Sequence, residues 1–574
     1  MKKKWVLPQA VPSEEAASLS RQLNINTTLS RLLIQRGIDS FDSAKHFFRP
    51  KLTDLHDPFL MKDMEQAVNR LCDALHQGKR ICIYGDYDVD GTTSVALVFN
   101  FLSRYARKDL LTYYVPDRYK EGYGLSEIAV RKAAADGVHL IVALDCGIKA
   151  LRTAALAKEL GLDLIICDHH LPGPQLPDAY AILDPKREGC PYPYKELSGC
   201  GVGFKLLHGF CLQNTVDLAQ LYDQLDLVAT SIASDIVPIT GENRIMAYYG
   251  LQKINKSPSP GLRALIDVSG LRGEIRISDL VFYIGPRINA AGRLTHAKRS
   301  VEMLIAEDPK QLETFSQQLN QINGDRKTYD AETTADALKM IEDVDGEAHK
   351  KSTVLYSEDW HKGIVGIVAS RCIESYHRPT IILTKSRGKV TGSARSVPGF
   401  DIYGAIEQCG ELLEQFGGHH HAAGLSLSVD NLPAFQQRFE EVVAASITED
   451  QLEPKLYADI EVDFSFLNFK SYGILRQMAP FGPQNPDPVF ISRNVSLKNY
   501  RIIKDKHLKM TLQQEDGKKF EAIAFGMASL TENLEANEQF DVAYHLDENE
   551  YMGHRSLQLL VKDMKVAKGV AVER

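Results

Sequence analysis

Residues 81–91, ICIYGDYDVDG, set three carboxylates on alternate residues, Asp86, Asp88 and Asp90, directly behind an apolar run. Negative charges that close repel one another unless a cation neutralises them, so the segment asks for a hard divalent metal held through oxygen. Further donors of the kind such an ion takes recur along the chain: Asp145 ending HLIVALD, Asp168, His169 and His170 ending LDLIICDHH, and Asp235 in LDLVATSIASDIVPIT. A single aspartate at a strand end is explained equally well as the cap of the next helix. Capping does not account for three alternate acids together with an Asp-His-His run at an equivalent strand end. Asp235 follows a largely apolar helical run, where an acid is disfavoured unless paired or coordinated.

The elements that position these groups follow from the pattern between residues 63 and 168. Helical spacing in DMEQAVNRLCDAL gives way to ICIYG, then TTSVALVFNFLSRYA, LTYYV, SEIAVRKAAADG, HLIVALD, RTAALAKELG and LDLIICD. Short apolar runs alternating with helices predict βαβ units and a doubly wound parallel sheet, an α/β fold whose ligand crevice lies beyond the carboxyl ends of the strands. The candidate acids fall at those ends. Residues 305–345 read as a long polar helix with Leu312, Phe315, Leu319 and Ile322 at three- and four-residue steps, a spacer between domains. A smaller α/β segment follows over 346–450, with strands STVLYS and PTIILT around GIVGIVASRCIES. Strand-like pieces over 451–574 predict a small β-barrel, with the OB-fold as first choice. The expected division is therefore an N-terminal segment 1–60, a first α/β domain 61–304, the helix 305–345, a second domain 346–450 and the barrel 451–574.

At 574 residues and 44% hydrophobic, the chain has apolar surface for several cores, and a soft prior of roughly 150 residues per domain gives about three or four. Nine cysteines are scattered without a CxxC pair, which predicts a reducing, cytoplasmic setting and no structural zinc. No apolar run approaches the roughly 18 residues that span a bilayer, and MKKKWVLPQAVPSEE lacks the apolar stretch of an export signal. The net charge of −8 does not point to nucleic acid, but a carboxylate-rich metal site inflates the acidic count and binding follows local charge.

GDYDVDG, DCG at 145–147, DHH at 168–170 and SDIVP at 234–238 resemble, in that order, four motifs of the DHH phosphoesterase superfamily, and GGHHHAAG at 417–424 resembles the glycine-rich motif of its companion DHHA1 domain. Within that superfamily, PDRYKEGYGL (116–125), GPRINAAGRL (285–294), WHKGIVGIVASR (360–371), GSARS (392–396) and APFGPQNPDPVF (479–490) are similar to the bacterial RecJ family of single-strand-specific 5′ exonucleases. The resemblance runs from about residue 60 to the C-terminus. It implies two ions, Mn²⁺ or Mg²⁺, with Asp88 and Asp145, joined by Asp86, serving one, and Asp90, Asp145, His169 and Asp235 serving the other, so that Asp145 bridges. For His170 it implies contact with the scissile phosphate or orientation of a ligand; a hydrogen bond to Asp168 is the alternative. It offers Arg118, Arg287, Arg293, Ser393, Arg395 and His419 as contacts to a terminal phosphate. Two positions depart from the family pattern: Lys327 stands where glutamine is expected, and His420 and His421 replace what is often a non-histidine pair.

KNYRIIKDKHLK (498–509) carries Lys498, Arg501, Lys504, Lys506 and Lys509 against one acid, with Tyr500 among them. A single-strand channel and an edge strand guarded by lysines would look alike here; the resemblance favours DNA on Lys504, Lys506 and Lys509. As a whole it implies a monomeric, processive 5′→3′ exonuclease that hydrolyses single-stranded DNA to mononucleotides in repair and recombination, its DHH and DHHA1 domains forming a ring that admits one strand. A single-strand-binding protein and a helicase are the candidate partners, with no membrane. The alternatives are a DHH phosphodiesterase acting on dinucleotides or short oligonucleotides and a non-catalytic repair scaffold.

Overall fold

The computed structural model describes residues 3–343, 350–533 and 539–567, so the last two residues of the expected 305–345 spacer lie outside the described residues. The chain divides into two compact units, one of residues 56–237 and 249–454, the other of 3–55, 238–248 and 455–567.

The first unit opens with a five-stranded sheet, β1 (Ile81–Gly85), β2 (Leu111–Tyr114), β3 (Leu140–Leu144), β4 (Asp163–Cys167) and β5 (Ala181–Leu183), in the order β2-β1-β3-β4-β5 with every pair parallel. All five residues of β1 and all five of β3 are buried, which is why these strands read as unbroken apolar runs rather than as alternation. The strand order reverses between β1 and β3, and the crevice at their carboxyl ends is the switch point at which such sheets bind ligands. Helices α1 (Val89–Leu102), α2 (Gly199–Gln213) and α3 (Leu225–Ser234), nearly all buried, pack behind that crevice. After α4 (Gly285–Leu294) comes α5 (Pro309–Asp343), 35 residues and so about 50 Å at 1.5 Å per residue. Asp308 starts it by accepting from the amides of Lys310 and Gln311, with Pro309 in the first helical position.

The unit ends in a mixed sheet of β6 (Thr353–Tyr356), β7 (Thr380–Ser386), β8 (Lys389–Arg395), β9 (Gln415–His419) and β10 (Ala422–Leu427), ordered β9-β10-β8-β7-β6, with α6 (Val365–Tyr376) packed on β7 and β8. Only β6 and β7 run parallel.

In the second unit, β11 (Ile460–Glu461) runs beside β12 (Phe490–Ile503), followed by β13 (His507–Gln513), β14 (Lys519–Ala524), β15 (Gln539–Tyr551) and β16 (His554–Val566). Pairing of β12 with both β13 and β15, and of β14 parallel to β16, closes a five-stranded barrel, the OB-fold arrangement. Leu19, Leu29, Leu32 and Leu33 share one core with Phe464, Phe490, Leu508 and Phe540 of the barrel. The segment expected to stand apart at residues 1–60 thus contributes apolar side chains to the barrel's own core. Arg244 fastens the same unit: its buried guanidinium lies 3.8 Å from the Phe47 ring centroid and donates to the carbonyls of Phe47, Met478, Ala479 and Pro480. All nine cysteines are free and buried. No helix among the described residues is long and apolar enough to cross a membrane.

Candidate active site

The carboxylates converge because glycine lets backbones touch. A Cβ on Gly91 would sit 2.3 Å from the Asp86 carbonyl oxygen, so only glycine lets α1 begin against the end of β1. Asp88 caps that helix by accepting from the Gly91 amide at 3.0 Å, and Asp90 in its first turn points the other way. Both Asp90 oxygens meet donors at the start of α2: Gly199 N at 2.7 Å, Cys200 N at 2.8 Å, and the Ser231 hydroxyl of α3 at 2.7 Å. A Cβ on Gly199 would lie 2.5 Å from Asp145 Cβ. Asp145 itself adopts φ +59°, and Ile236, directly after Asp235, adopts φ +58°. The left-handed region is tolerable for aspartate and rare for a β-branched residue; strained backbone of this kind is typically kept at functional sites.

His169 shows what these acids await. Its Nδ1 lies 3.0 Å from the Leu197 carbonyl, which only accepts, so Nδ1 carries the proton and Nε2 presents a lone pair. That Nε2 faces Asp145 Oδ1 at 3.2 Å, Asp235 Oδ2 at 3.6 Å and Asp90 Oδ2 at 3.8 Å, with no donor in reach. By distance alone these would be ion pairs, but burial, helped by the positive charge of His170, lowers the His169 pKa to about 3 and keeps the ring neutral. Burial also lifts Asp86, Asp145 and Asp235 well above the ordinary carboxylate range, and repulsion adds to it, from Asp88 on Asp86 and from Asp90 on the other two. Asp90 rises to about 6 for the same reasons, burial first and then Asp88. Acceptors confronting acceptors, with Asp86 Oδ2 and His169 Nε2 buried and unpartnered, fit a divalent cation. Two overlapping triplets have ligand atoms within 4.8 Å of one another: Asp145, His169 and His170, and Asp90, His169 and Asp235.

Asp168 plays a different part. It accepts from the amides of Ile148 (2.9 Å), His169 (2.8 Å) and His170 (3.2 Å) and from His170 Nδ1 (2.8 Å). Burial is the strongest single influence and pushes its pKa up, but the His170 hydrogen bond, the charge of His170, the Ile148 amide and the charge of His169 together outweigh it and bring the group down to about 2. At His170 burial is the strongest single influence and lowers the pKa, but the same bond together with the negative charges of Asp168, Asp235 and Asp90 outweighs it and raises that ring to about 9. The hydrogen bond to Asp168 is therefore present, and His170 Nε2 points away from it, within hydrogen-bond distance of the Tyr123 hydroxyl at 3.1 Å. Asp184, not among the expected ligands, follows β5 in AILD as Asp145 follows β3 and Asp168 follows β4. It is buried with Oδ2 unpartnered, and burial lifts it to about 7.

A positive pocket lies in the same unit. Burial, then repulsion from Arg118, Arg395 and Arg326, lowers Arg293 to about 9. Arg293 donates to the Gly363 carbonyl, Arg395 to the Ser393 hydroxyl at 2.7 Å and the Ala394 carbonyl, and Arg118 lies over the Tyr87 ring. A Cβ on Gly366, in the first turn of α6, would lie 2.7 Å from Arg395 Nη2, so the helix start and the guanidinium share one space. None of Arg118, Arg293 and Arg395 has an ion pair among the described residues. His419, at the end of β9, feels both regions: burial lowers it first, then His421, His420, Arg395 and His170 repel its charge. Arg287 does not join this pocket. It is buried, with Nη1 on the Tyr283 carbonyl and Nε on Asn320 Oδ1 of α5, so its donors hold α4 to α5. Lys327 is exposed on α5, and it is the half-buried neighbour Arg326 whose charge repels Arg293.

In the barrel unit, Lys504 and Asp505 at φ +50° and +53° form the turn between β12 and β13. Lys504 and Lys506 are exposed, Lys509 reaches Glu521 at 3.5 Å, Tyr500 is exposed on β12, and Phe525, exposed in the turn after β14, meets the His507 ring edge-on.

Family models match in three places: DHH family, N-terminal domain, over residues 80–232; DHHA1 domain over 349–445; and RecJ OB domain over 458–563. The single-stranded-DNA-specific exonuclease RecJ of Bacillus subtilis is 36% identical over 573 residues, covering 99% of this chain and 71% of the relative. The chain belongs to the RecJ family. The crystal structure of Thermus thermophilus RecJ in complex with Mn²⁺ superposes with a TM-score of 0.85 at 26% identity, covering 99% of this chain and 80% of that one. RecJ of the same organism in complex with Mg²⁺ gives 0.78 at 25% identity, covering 99% and 79%. The switch-point carboxylates lie within or directly beside the DHH match, and Ser393, Arg395 and His419 lie within the DHHA1 match.

Proposed function

We propose that this chain is a divalent-metal-dependent exonuclease that hydrolyses single-stranded DNA processively from its 5′ end to mononucleotides, in DNA repair and recombination. The observation that carries this reading is the presence in one unit of a buried cluster made only of acceptors and of arginines without acid partners. One region calls for cations, the other for a terminal phosphate. The relative named as a single-stranded-DNA-specific exonuclease supports the substrate, and the RecJ structures with Mn²⁺ and Mg²⁺ support either ion.

His169 has one lone pair to give, because Nδ1 is engaged, whereas a carboxylate has two oxygens. As the family resemblance implies, Asp86, Asp88 and Asp145 would hold one ion and Asp145, Asp90, His169 and Asp235 the other. When bound, two ions would lower the pKa of an attacking water and neutralise charge on the displaced oxygen. The remaining work is positional. Arg118, Arg293 and Arg395, with Ser393 and His419, hold the terminal phosphate. Asp168 fixes His170 through Nδ1, leaving Nε2–H for an oxygen of the scissile phosphate. Because pocket and cluster belong to one folded unit, product length is a property of the fold.

Digestion of 5′-labelled and 3′-labelled single strands with Mn²⁺, Mg²⁺ or chelator tests the reading. Immediate release of labelled mononucleotide from the 5′ label, with both ions and not with chelator, is expected. First release from the 3′ label overturns the polarity, and equal digestion of blunt duplex overturns the strand selectivity.

A further inference from the structure

Tyr329 lies on α5 with its ring stacked on His361, centroids 6.0 Å apart and planes 16° from parallel. Exposed aromatics occur singly on most proteins and need no explanation. This pair differs in what adjoins it. The Gly363 amide donates to His361 Nδ1 at 3.0 Å while the Gly363 carbonyl accepts from Arg293 Nη1 at 3.1 Å. A Cβ on Gly363 would lie 2.2 Å from the Arg293 carbonyl oxygen, so the two backbones are in direct contact. Tyr119 sets its ring edge-on to His361 and donates its hydroxyl to that same Arg293 carbonyl. One wall of the phosphate pocket is therefore also the support of the ring pair. Although stacked on one side, Tyr329 keeps 47% of its surface open. Burial lowers the pKa of His361, so the ring beneath it is a neutral π surface.

In a nucleotide the base stands one sugar away from its own 5′ phosphate, and a flat aromatic face binds any base by stacking. We propose that Tyr329, backed by His361, is the stacking platform for the base of the 5′-terminal nucleotide whose phosphate occupies the arginine pocket. The proposal rests on the reading of the chain as a 5′ exonuclease. It adds a contact to the base itself, tolerant of sequence and favouring the larger faces of purines.

Tyr329→Ala and Tyr329→Phe, both compatible with an exposed helical site, are compared on 5′-phosphorylated single strands whose terminal nucleotide is either normal or abasic. On the normal strand Tyr329→Ala should raise KM about tenfold, while Tyr329→Phe stays within about twofold of wild type. On the abasic strand wild type and Tyr329→Ala should coincide, because the lost partner is the base. An equal loss for Tyr329→Ala on both strands, or none on either, overturns the platform while leaving the exonuclease reading intact. A wild-type protein that does not degrade from the 5′ end overturns both.

Discussion

The carboxylate cluster at the switch point and the lysine turn of the barrel both gather like charges, and they differ in what water does to them. Asp86, Asp90 and Asp145 are buried, their repulsion unrelieved by solvent, and each pushes its neighbours toward protonation. Lys504 and Lys506 stand in water on the three-residue turn 504–506, where salt screens them within about 8–10 Å. Buried like charges form one cooperative device that is complete or useless. Exposed ones act separately, each adding a similar increment.

The contrast can be broken in order of effect. Asp145→Asn keeps a residue that tolerates the left-handed backbone, so the protein should fold while metal-dependent digestion of single strands falls by on the order of 10⁴-fold. The same variant should melt at a higher temperature than wild type without metal, because one repelling charge has gone. Substantial activity in Asp145→Asn would mean that the cluster does not act as a unit.

Arg395→Ala removes a desolvated guanidinium, and KM for 5′-phosphorylated strands should rise about thirtyfold or more, the equivalent of about 2 kcal/mol for a charge that loses a buried partner. Comparing phosphorylated with hydroxyl-ended strands checks this; an undiminished preference for the phosphate would remove Arg395 from the pocket. Gly199→Ala leaves every ligand in place and forces a methyl against Asp145, so metal affinity by calorimetry should weaken about 10- to 100-fold. An unaltered affinity would show that the close approach is not needed. The smallest effect is expected in the barrel: replacing Lys504, Lys506 and Lys509 by alanine should flatten the log–log salt dependence of binding by about 2, near 0.7 for each phosphate contact to a single strand. Lys509 should contribute least, since Glu521 already holds it.

Asp86, Asp145 and Asp168 are legible in the sequence because a buried parallel strand leaves a short apolar run and the acid follows directly at its end. The parallel sheet, the long helix and the barrel are readable by the same local periodicities. The division of labour among the acids is not, since Asp168 and Asp145 look alike until the donors around each are seen. Arg287 illustrates a second limit: its motif places it beside a phosphate, but the carbonyl of Tyr283 and the amide of Asn320 claim its donors. Arg326 was hidden by its neighbour Lys327, because a helix turns adjacent residues about 100° apart, and here Arg326 is half-buried with its charge acting on Arg293 while Lys327 is exposed. Burial of residues 19–33 in the barrel core joins segments more than 400 residues apart, and no local pattern records such a pairing.

The nine buried thiols have a practical consequence. They lie at positions 72, 82, 146, 167, 190, 200, 211, 372 and 409, all within the first unit and none in the second. A thiol-reactive dye therefore has nothing to label until the catalytic unit opens, and it is blind to the barrel unit at every stage. Labelling kinetics would time the breathing of the nuclease core alone, with the wild-type chain as its own probe.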